Sequence, residues 1–299
     1  METAYIFLAV LIFLMYSITL WYSSIEGFED GSSITYEDPK EMYDATYASV
    51  YNLLWHPNEK LNYERVSIQD ISLADRPKSN VRVVDMCCGT APNACWFKEL
   101  GVDYVGVDIS ESMLAKARED CPNATFQNGD VTQVHLFPQK SASHCLLSGF
   151  SIYQFENPKI LSDNAYQWLQ PDGHFIVHMV DPDKFDPLLD LASPFAAFSL
   201  QKYSIDRVTD SNVYFDQFKY VGKFAKKKGE DNASYNENFV YYDKDNNKGH
   251  KYRENKHRLN MPSKERLIDI VKTSGFRHLE TVDLVRCGRE YQYLVYFTK

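Results

Sequence analysis

The chain lacks the cysteine spacing of a metal site. Its six cysteines (Cys87, Cys88, Cys95, Cys121, Cys145 and Cys287) form no C-x-x-C pair and no zinc pattern. They read as reduced, structural side chains behaving as small hydrophobes, which suits a reducing compartment, and no metal is expected. A basic excess is missing too. The 32 Lys/Arg against 41 Asp/Glu leave a net charge of −9, which argues against a nucleic-acid partner, since such binders carry a positive footprint. Glycine is scarce where a nicotinamide site needs it. The three fingerprint positions fall on Cys87, Gly89 and Pro92, so only the middle glycine is present and a pyrophosphate has little to sit on. No Lys or Arg precedes Lys40, so the amino terminus has no positive n-region of a secretory signal.

What is there is an ordinary globular composition, 44% hydrophobic and 24% charged over 299 residues, enough for one full core plus a sizeable insertion. Residues 4–22 are uncharged and rich in Leu, Ile and Phe, with Tyr5, Trp21 and Tyr22 at the ends. That length approaches the roughly 20 residues a helix needs to cross a bilayer, and aromatics suit its interfaces. The expectation is an uncleaved single-pass anchor over residues 1–22, followed by a polar linker over 23–37. Charge does not set its orientation. Two sequons, Asn123-Ala-Thr125 and Asn232-Ala-Ser234, would be acceptors in a lumenal domain.

The informative stretch is residues 81–108. An apolar β-branched run ends at Asp85, passes through Met-Cys-Cys-Gly-Thr-Ala-Pro and opens into a helix, with Pro92 expected in its first turn. A second short apolar strand, residues 103–107, also ends in an acid. Asp108 lies about 20 residues past the turn, where a carboxylate takes ribose hydroxyls in dinucleotide folds. A helix N-terminus beside a loop of small residues lets backbone N–H groups approach a ligand. The geometry calls for a ligand carrying a ribose.

Asp85-Met-Cys87-Cys88-Gly89-Thr90-Ala91 resembles the first motif of the class I S-adenosylmethionine-dependent methyltransferases, roughly D-x-G-C-G-T-G, with Cys87 and Ala91 in place of two family glycines. The resemblance implies a doubly wound α/β fold: a mostly parallel seven-strand sheet with an antiparallel last strand, and S-adenosyl-L-methionine as cofactor. It also implies roles. Asp85, Cys87 and Gly89 would form the loop, Asp108 would hold the ribose, and Ile109 would pack on the adenine. Asp130, with Val131, would meet the adenine amino group. Residues 145–150 look like the fourth strand, which puts Leu147 near the ligand end. Trp168-Leu-Gln-Pro-Asp-Gly173 resembles the family's L-x-P-G-G turn, with Asp172 for one glycine. Tyr43, in a helix carrying Tyr47, Val50, Tyr51 and Leu54, resembles the tyrosine-bearing helix that many members fold over the cofactor. The resemblance covers about residues 43–181 in the right order.

The organisation expected is therefore an anchor (1–22), a linker (23–37), a helical cap (38–80), a cofactor-binding core (81–182), an antiparallel aromatic-rich insertion (183–260) and a closing helix with two strands (261–299). Aromatics in the insertion suit core packing better than a cage for an ammonium. Methyl transfer needs a base only when the acceptor has a proton to lose, and Tyr153, His178 and Asp181 near strand ends are the candidates. There is no N-P-P-Y tetrapeptide or Pro-Cys nucleophile after strand four, which speaks against nucleic-acid modification. The function expected is methyl transfer to an O or N atom of a small or lipid-like molecule at a membrane, with the catalytic domain cytosolic. The alternatives are a protein side-chain methyltransferase and a tethered cofactor-binding module without turnover.

Overall fold

Apolar runs that end in acids become the central strands of a seven-stranded sheet. The computed structural model describes residues 33–56, 58–74, 76–185, 206–242 and 251–299. Chain order runs β1 (Ser33–Tyr36), the helices α1 (Pro39–Met42), α2 (Ala45–Trp55) and α3 (Asn58–Ile68), then β2 (Arg82–Met86), α4 (Ala94–Glu99), β3 (Asp103–Asp108), α5 (Glu111–Asp120) and β4 (Thr125–Asn128). Next come β5 (Ala142–Leu147), α6 (Lys159–Trp168) and β6 (Leu169–Val180). The insertion supplies β7 (Asp206–Tyr214), β8 (Phe218–Lys227), β9 (Asn232–Tyr241) and β10 (Lys251–Asn260), and α7 (Lys264–Thr273), β11 (Arg277–Asp283) and β12 (Gln292–Thr298) close the fold.

The main sheet has the order β11-β12-β6-β5-β2-β3-β4. β4, β3, β2, β5 and β6 are parallel, and β12 runs antiparallel to both β6 and β11. Such a sheet is covered on both faces, so its strands are apolar throughout rather than alternating. β5 is buried at every position. Val84, Leu147 and Val177 face one apolar cluster and Val83, Leu146 and Ile176 the other, as side chains alternate across the sheet. Ser110 caps α5 by accepting the Met113 amide at 3.1 Å, and Ser263 caps α7. Both are oxygen-bearing side chains of the kind that satisfies the free amides of a helix's first turn. Strand order reverses between β5 and β2, the switch point beyond whose carboxyl ends such sheets take ligands.

A second sheet, β1-β10-β9-β8-β7, is built from the insertion. Tyr220 and Phe239 on its inner face pack against Tyr47 and Leu54 of α2. This pairing places the insertion beside the cofactor end of the main sheet.

Several expectations need correction. The helix over Tyr43–Leu54 is two helices: Asp38 caps α1, and the chain breaks at Tyr43 before Asp44 caps α2 by accepting the Tyr47 amide. Residues 33–36, assigned to the linker, pair in parallel with β10. Pro92 lies outside α4, whose N-cap is Asn93. The cysteines are not all reduced: Cys95 and Cys121 form a disulfide between α4 and the end of α5, with Cα atoms 5.5 Å apart. Sequence spacing missed it because 26 residues separate the pair and only the fold brings them together. The apolar stretch 4–22 lies outside the described residues. Among those described, no helix is long and apolar enough to cross a membrane.

Candidate functional site

The loop after β2 alternates its backbone. Cys87 (φ 54°), Gly89 (φ 56°) and Ala91 (φ 50°) all adopt left-handed conformations. That conformation is free for glycine and costs an L-residue roughly 1–2 kcal/mol. The two non-glycine residues thus keep the conformation that glycines would give. At Gly89 a Cβ would meet the Met113 Cε at 3.3 Å. Asp108, at the end of β3, ties this loop down: its Oδ2 accepts the Gly89 amide at 2.8 Å and its Oδ1 the Ser110 amide at 2.9 Å. Burial raises the Asp108 carboxyl above its ordinary value, against the pull of the amides of Ser110, Gly89 and Ile109.

A cavity opens over this loop. Cys87, Gly89, Asp108, Ile109, Asp130, Val131 and Tyr43 all line it, so seven of the sequence-derived cofactor residues come together. Ile109 is 37% exposed, an apolar side chain offered to a ring. Asp130 Oδ1 accepts the Thr132 amide at 2.9 Å. Two carboxylates, loop amides and an exposed isoleucine fit a nucleoside with hydroxyl and amino groups, so S-adenosylmethionine fits here.

Two sequence-derived residues lie elsewhere. Leu147 is buried in the sheet core. Asp85 is 1% exposed beneath the loop, where it accepts the Tyr104 hydroxyl at 2.7 Å. Burial pushes its carboxyl up to about 7. The candidate bases also fall outside the cavities. The Tyr153 hydroxyl accepts the Val180 amide at 2.7 Å. His178 is fully buried, with Nδ1 2.5 Å from the Gly149 carbonyl, and burial and Lys60 lower it to about 3. Asp181 pairs with Lys184 at 2.9 Å. None of the three lines either cavity.

A second cavity adjoins the first, and Tyr43, Tyr51, Ser151 and Gln154 line both. Its wall is aromatic: Tyr47 and Trp55 from α2, Phe150, Phe224 and Tyr235, with His257 among them. Tyr43, Tyr47, Tyr51 and Trp55 are spaced by four, one face of a helix. That regularity could have flagged the wall from sequence. Gln154 donates to the Tyr43 hydroxyl at 2.8 Å, across the boundary between cavities. Behind the wall, Glu237 is fully buried and hydrogen-bonded to His257 at 2.7 Å. Burial pushes the Glu237 carboxyl up, but the hydrogen bond and charge of His257 and the hydroxyls of Tyr47 and Tyr220 bring it below the ordinary value. No local motif marks Glu237 or His257. Cross-strand register brings them together, with Glu237 opposite Asn255 and His257 opposite Tyr235. Among the described residues, no cluster of His, Cys, Asp or Glu could hold a metal.

Comparison with known proteins agrees with this geometry. Residues 83–173 match the family described as methyltransferase domain. The dTDP-3-amino-3,4,6-trideoxy-alpha-D-glucopyranose N,N-dimethyltransferase of Streptomyces venezuelae is 35% identical over 104 residues, covering 34% of this chain and 43% of that protein. The chain spans about half the length of the curated relatives it matches. The CcbJ methyltransferase from Streptomyces caelestis superposes with a TM-score of 0.64 at 17% identity, over 86% of this chain and 97% of that one. CalS10, an amino pentose methyltransferase from Micromonospora echinaspora solved with S-adenosylmethionine bound, gives 0.58 at 15% identity, over 85% and 96%. With the strand order and the loop after β2, these matches make residues 83–173 similar to known methyltransferase domains, on a fold shared with methyltransferases of known structure, one of them solved with S-adenosylmethionine bound.

Proposed function

We propose that the protein transfers a methyl group to an amine nitrogen of a small molecule seated in the aromatic cavity. The observation that carries this is the shared wall: Tyr43, Tyr51, Ser151 and Gln154 border both cavities, so two ligands bound there would meet. S-adenosylmethionine supplies a methyl bonded to a positive sulfur, open to in-line attack by a lone pair. The protein's share is positioning. Asp108, Ile109 and Asp130 would hold the nucleoside, and the aromatic wall would hold the acceptor with its lone pair toward the shared boundary. Tyr43 and Phe150 would keep water out of that boundary.

Nitrogen is favoured over oxygen because the N,N-dimethyltransferase of Streptomyces venezuelae carries an amino-sugar substrate in its name, and because the carboxylate beneath the aromatic wall suits a cationic amine. The apolar stretch 4–22 supports a membrane tether for the domain, which fractionation of the expressed full chain would test.

Calorimetry with S-adenosylhomocysteine is the first test, with binding in the micromolar range expected. The second is transfer of radiolabelled methyl to dTDP-3-amino-3,4,6-trideoxy-alpha-D-glucopyranose and to simpler amino sugars. Absence of binding at millimolar S-adenosylhomocysteine would refute the reading. So would binding followed by label entering only hydroxyl or carboxylate acceptors.

A further inference from the structure

A buried polar knot lies behind the aromatic cavity. Glu237 on β9 is fully buried and accepts hydrogen bonds from the Tyr47 hydroxyl at 2.6 Å, the Tyr220 hydroxyl at 2.9 Å, Asn255 Nδ2 at 3.3 Å and His257 Nε2 at 2.7 Å. An interior carboxylate stays ionised only when donors replace its water, and four donors do so here. Gly222 stands opposite Glu237 on β8, and a Cβ there would run into the hydroxyls of Tyr235 and Tyr220. The backbone is therefore shaped around the knot.

Tyr47 and His257 both line the cavity that Tyr43 joins to the cofactor side, and of these two only His257 carries a group that accepts a proton near neutral pH. With its Nε2–H donated to Glu237, the imidazole in its uncharged form carries its lone pair on Nδ1. Among the described residues nothing bonds to that atom. A base whose second nitrogen is fixed by a carboxylate is the arrangement that sets tautomer and orientation for proton transfer.

We infer that His257, oriented by Glu237, takes the proton from an ammonium acceptor in the aromatic cavity, and that this cavity selects cationic amines. The inference rests on the amine reading above. The ammonium N–H proton passes to Nδ1 and its electron pair stays on nitrogen. That pair forms the new N–C bond as the C–S bond breaks with its electrons going to sulfur, and the imidazolium later returns its proton to solvent. Glu237 offsets the charge gained on the ring. Tyr43, Tyr51, Trp55 and Tyr235 line the space that the cation would occupy before it is deprotonated.

The other groups around His257 fit these roles. Tyr43 and Tyr235 stand beside its ring, with centroids 6.3 and 6.0 Å away, and Tyr47 and Tyr51 line the same cavity. The turn from Ser151 to Gln154 brings neutral Gln154, while the Tyr153 hydroxyl is occupied at Val180. Arg253, two residues before Asn255, is paired with Asp44. Across the cavity His56 is held neutral by burial and Lys60, and Lys60 is itself paired with Glu64 at 3.5 Å.

The test uses the full chain saturated with S-adenosylhomocysteine and two probes of one shape, choline and its neutral isostere 3,3-dimethylbutan-1-ol. Calorimetry should show choline binding about ten-fold tighter or more, a preference that Glu237→Gln removes. No choline binding, equal binding, or a preference unchanged in Glu237→Gln would overturn the inference. The second arm follows methylation of the amino-sugar nucleotide against pH. His257→Gln should lower kcat/KM about 100-fold at pH 7 and rejoin the wild type above the pKa of the amine, where no base is needed. A deficit constant with pH would mean a structural role only and sink the base assignment. Should Glu237→Gln fail to fold by circular dichroism, Glu237→Asp and His257→Gln carry the test. Loss of S-adenosylhomocysteine binding in the wild type would refute the methyltransferase reading itself. Intact binding without cation preference refutes this inference alone.

Discussion

Replacing Asp108 by alanine perturbs two functions of one carboxylate that the structure allows to be separated. Its two oxygens accept the Gly89 and Ser110 amides at 2.8 and 2.9 Å, and the residue is 9% exposed. Alanine strands both amides. At about 1–3 kcal/mol for each unsatisfied buried donor, and with the cavity admitting water to part of the site, the apo protein should lose about 2–4 kcal/mol in urea unfolding. If the carboxylate also holds the ribose, S-adenosylhomocysteine affinity should fall by about 1.5–3 kcal/mol, or roughly ten- to 150-fold in Kd. Calorimetry must be run where both forms are folded. Asp108→Asn keeps one acceptor oxygen, so it should recover about half of the lost stability while affinity stays low. A stability loss with unchanged Kd would mean that Asp108 is only a strut for the loop and the ribose is held elsewhere. No loss of either kind would refute the geometry itself.

Cys87→Gly should stabilise the fold by up to about 1 kcal/mol. It relieves a left-handed residue worth roughly 1–2 kcal/mol, offset by about 0.5–1 kcal/mol of glycine entropy; a lowered urea midpoint would contradict this. Asp85, pushed up to about 7 by burial, is more easily protonated folded than unfolded. Its contribution is full below the unfolded value and is lost as pH rises through about 7. Wild-type stability should therefore decline from pH 4 to pH 8 by at most about 4 kcal/mol more than that of Asp85→Asn, and matching pH profiles would be the refutation. Reducing the Cys95–Cys121 disulfide, which closes a 26-residue separation, should cost about 2–4 kcal/mol in urea unfolding; a midpoint indifferent to reductant would show that the bridge carries no stability.

The parts of the fold legible in the sequence are those governed by neighbours along the chain. Residues 81–108 revealed a strand, a turn and a carboxylate because periodicity, small residues and spacing are local signals. The closing helix and strands were legible for the same reason. Leu147 went astray because a strand's period of two puts alternate residues on opposite faces, and its face is the core. The break at Tyr43 was hidden by unbroken helical spacing over Tyr43, Tyr47 and Tyr51, since Asp44 reads equally as a helix interior residue or as the cap it is. Tyr153, His178 and Asp181 were chosen by nearness to strand ends, whereas Tyr153 and His178 bond to the backbone of Val180 and Gly149 and Asp181 pairs with Lys184. The side of the acceptor wall that the insertion supplies depends on pairing between β8, β9 and β10, and register set by distant partners leaves no local trace.

That distant pairing also explains how one residue comes to border both cavities. Arg253 on β10 grips Asp44 through both carboxylate oxygens at 2.8 Å and donates to the Met42 carbonyl, while its guanidinium stacks 4.4 Å from the Tyr36 ring. Its side chain is 7% exposed and that of Asp44 33%. A pair so enclosed adds little net stability, because desolvation offsets most of the attraction. Leaving such an arginine unpaired, however, would cost about 3–5 kcal/mol. The pair therefore acts on geometry: only the broken helix, with Tyr43 between Met42 and Asp44, satisfies it. From the other side the Ser110 hydroxyl donates to the Tyr43 carbonyl, two residues past the Asp108 carboxylate. Tyr43 is thus clamped from the cofactor side by the residue that caps α5, and from the acceptor side by the strand that carries His257. The backbone at Tyr43 is thus held from both sides, so the insertion and the core hold the boundary between donor and acceptor jointly.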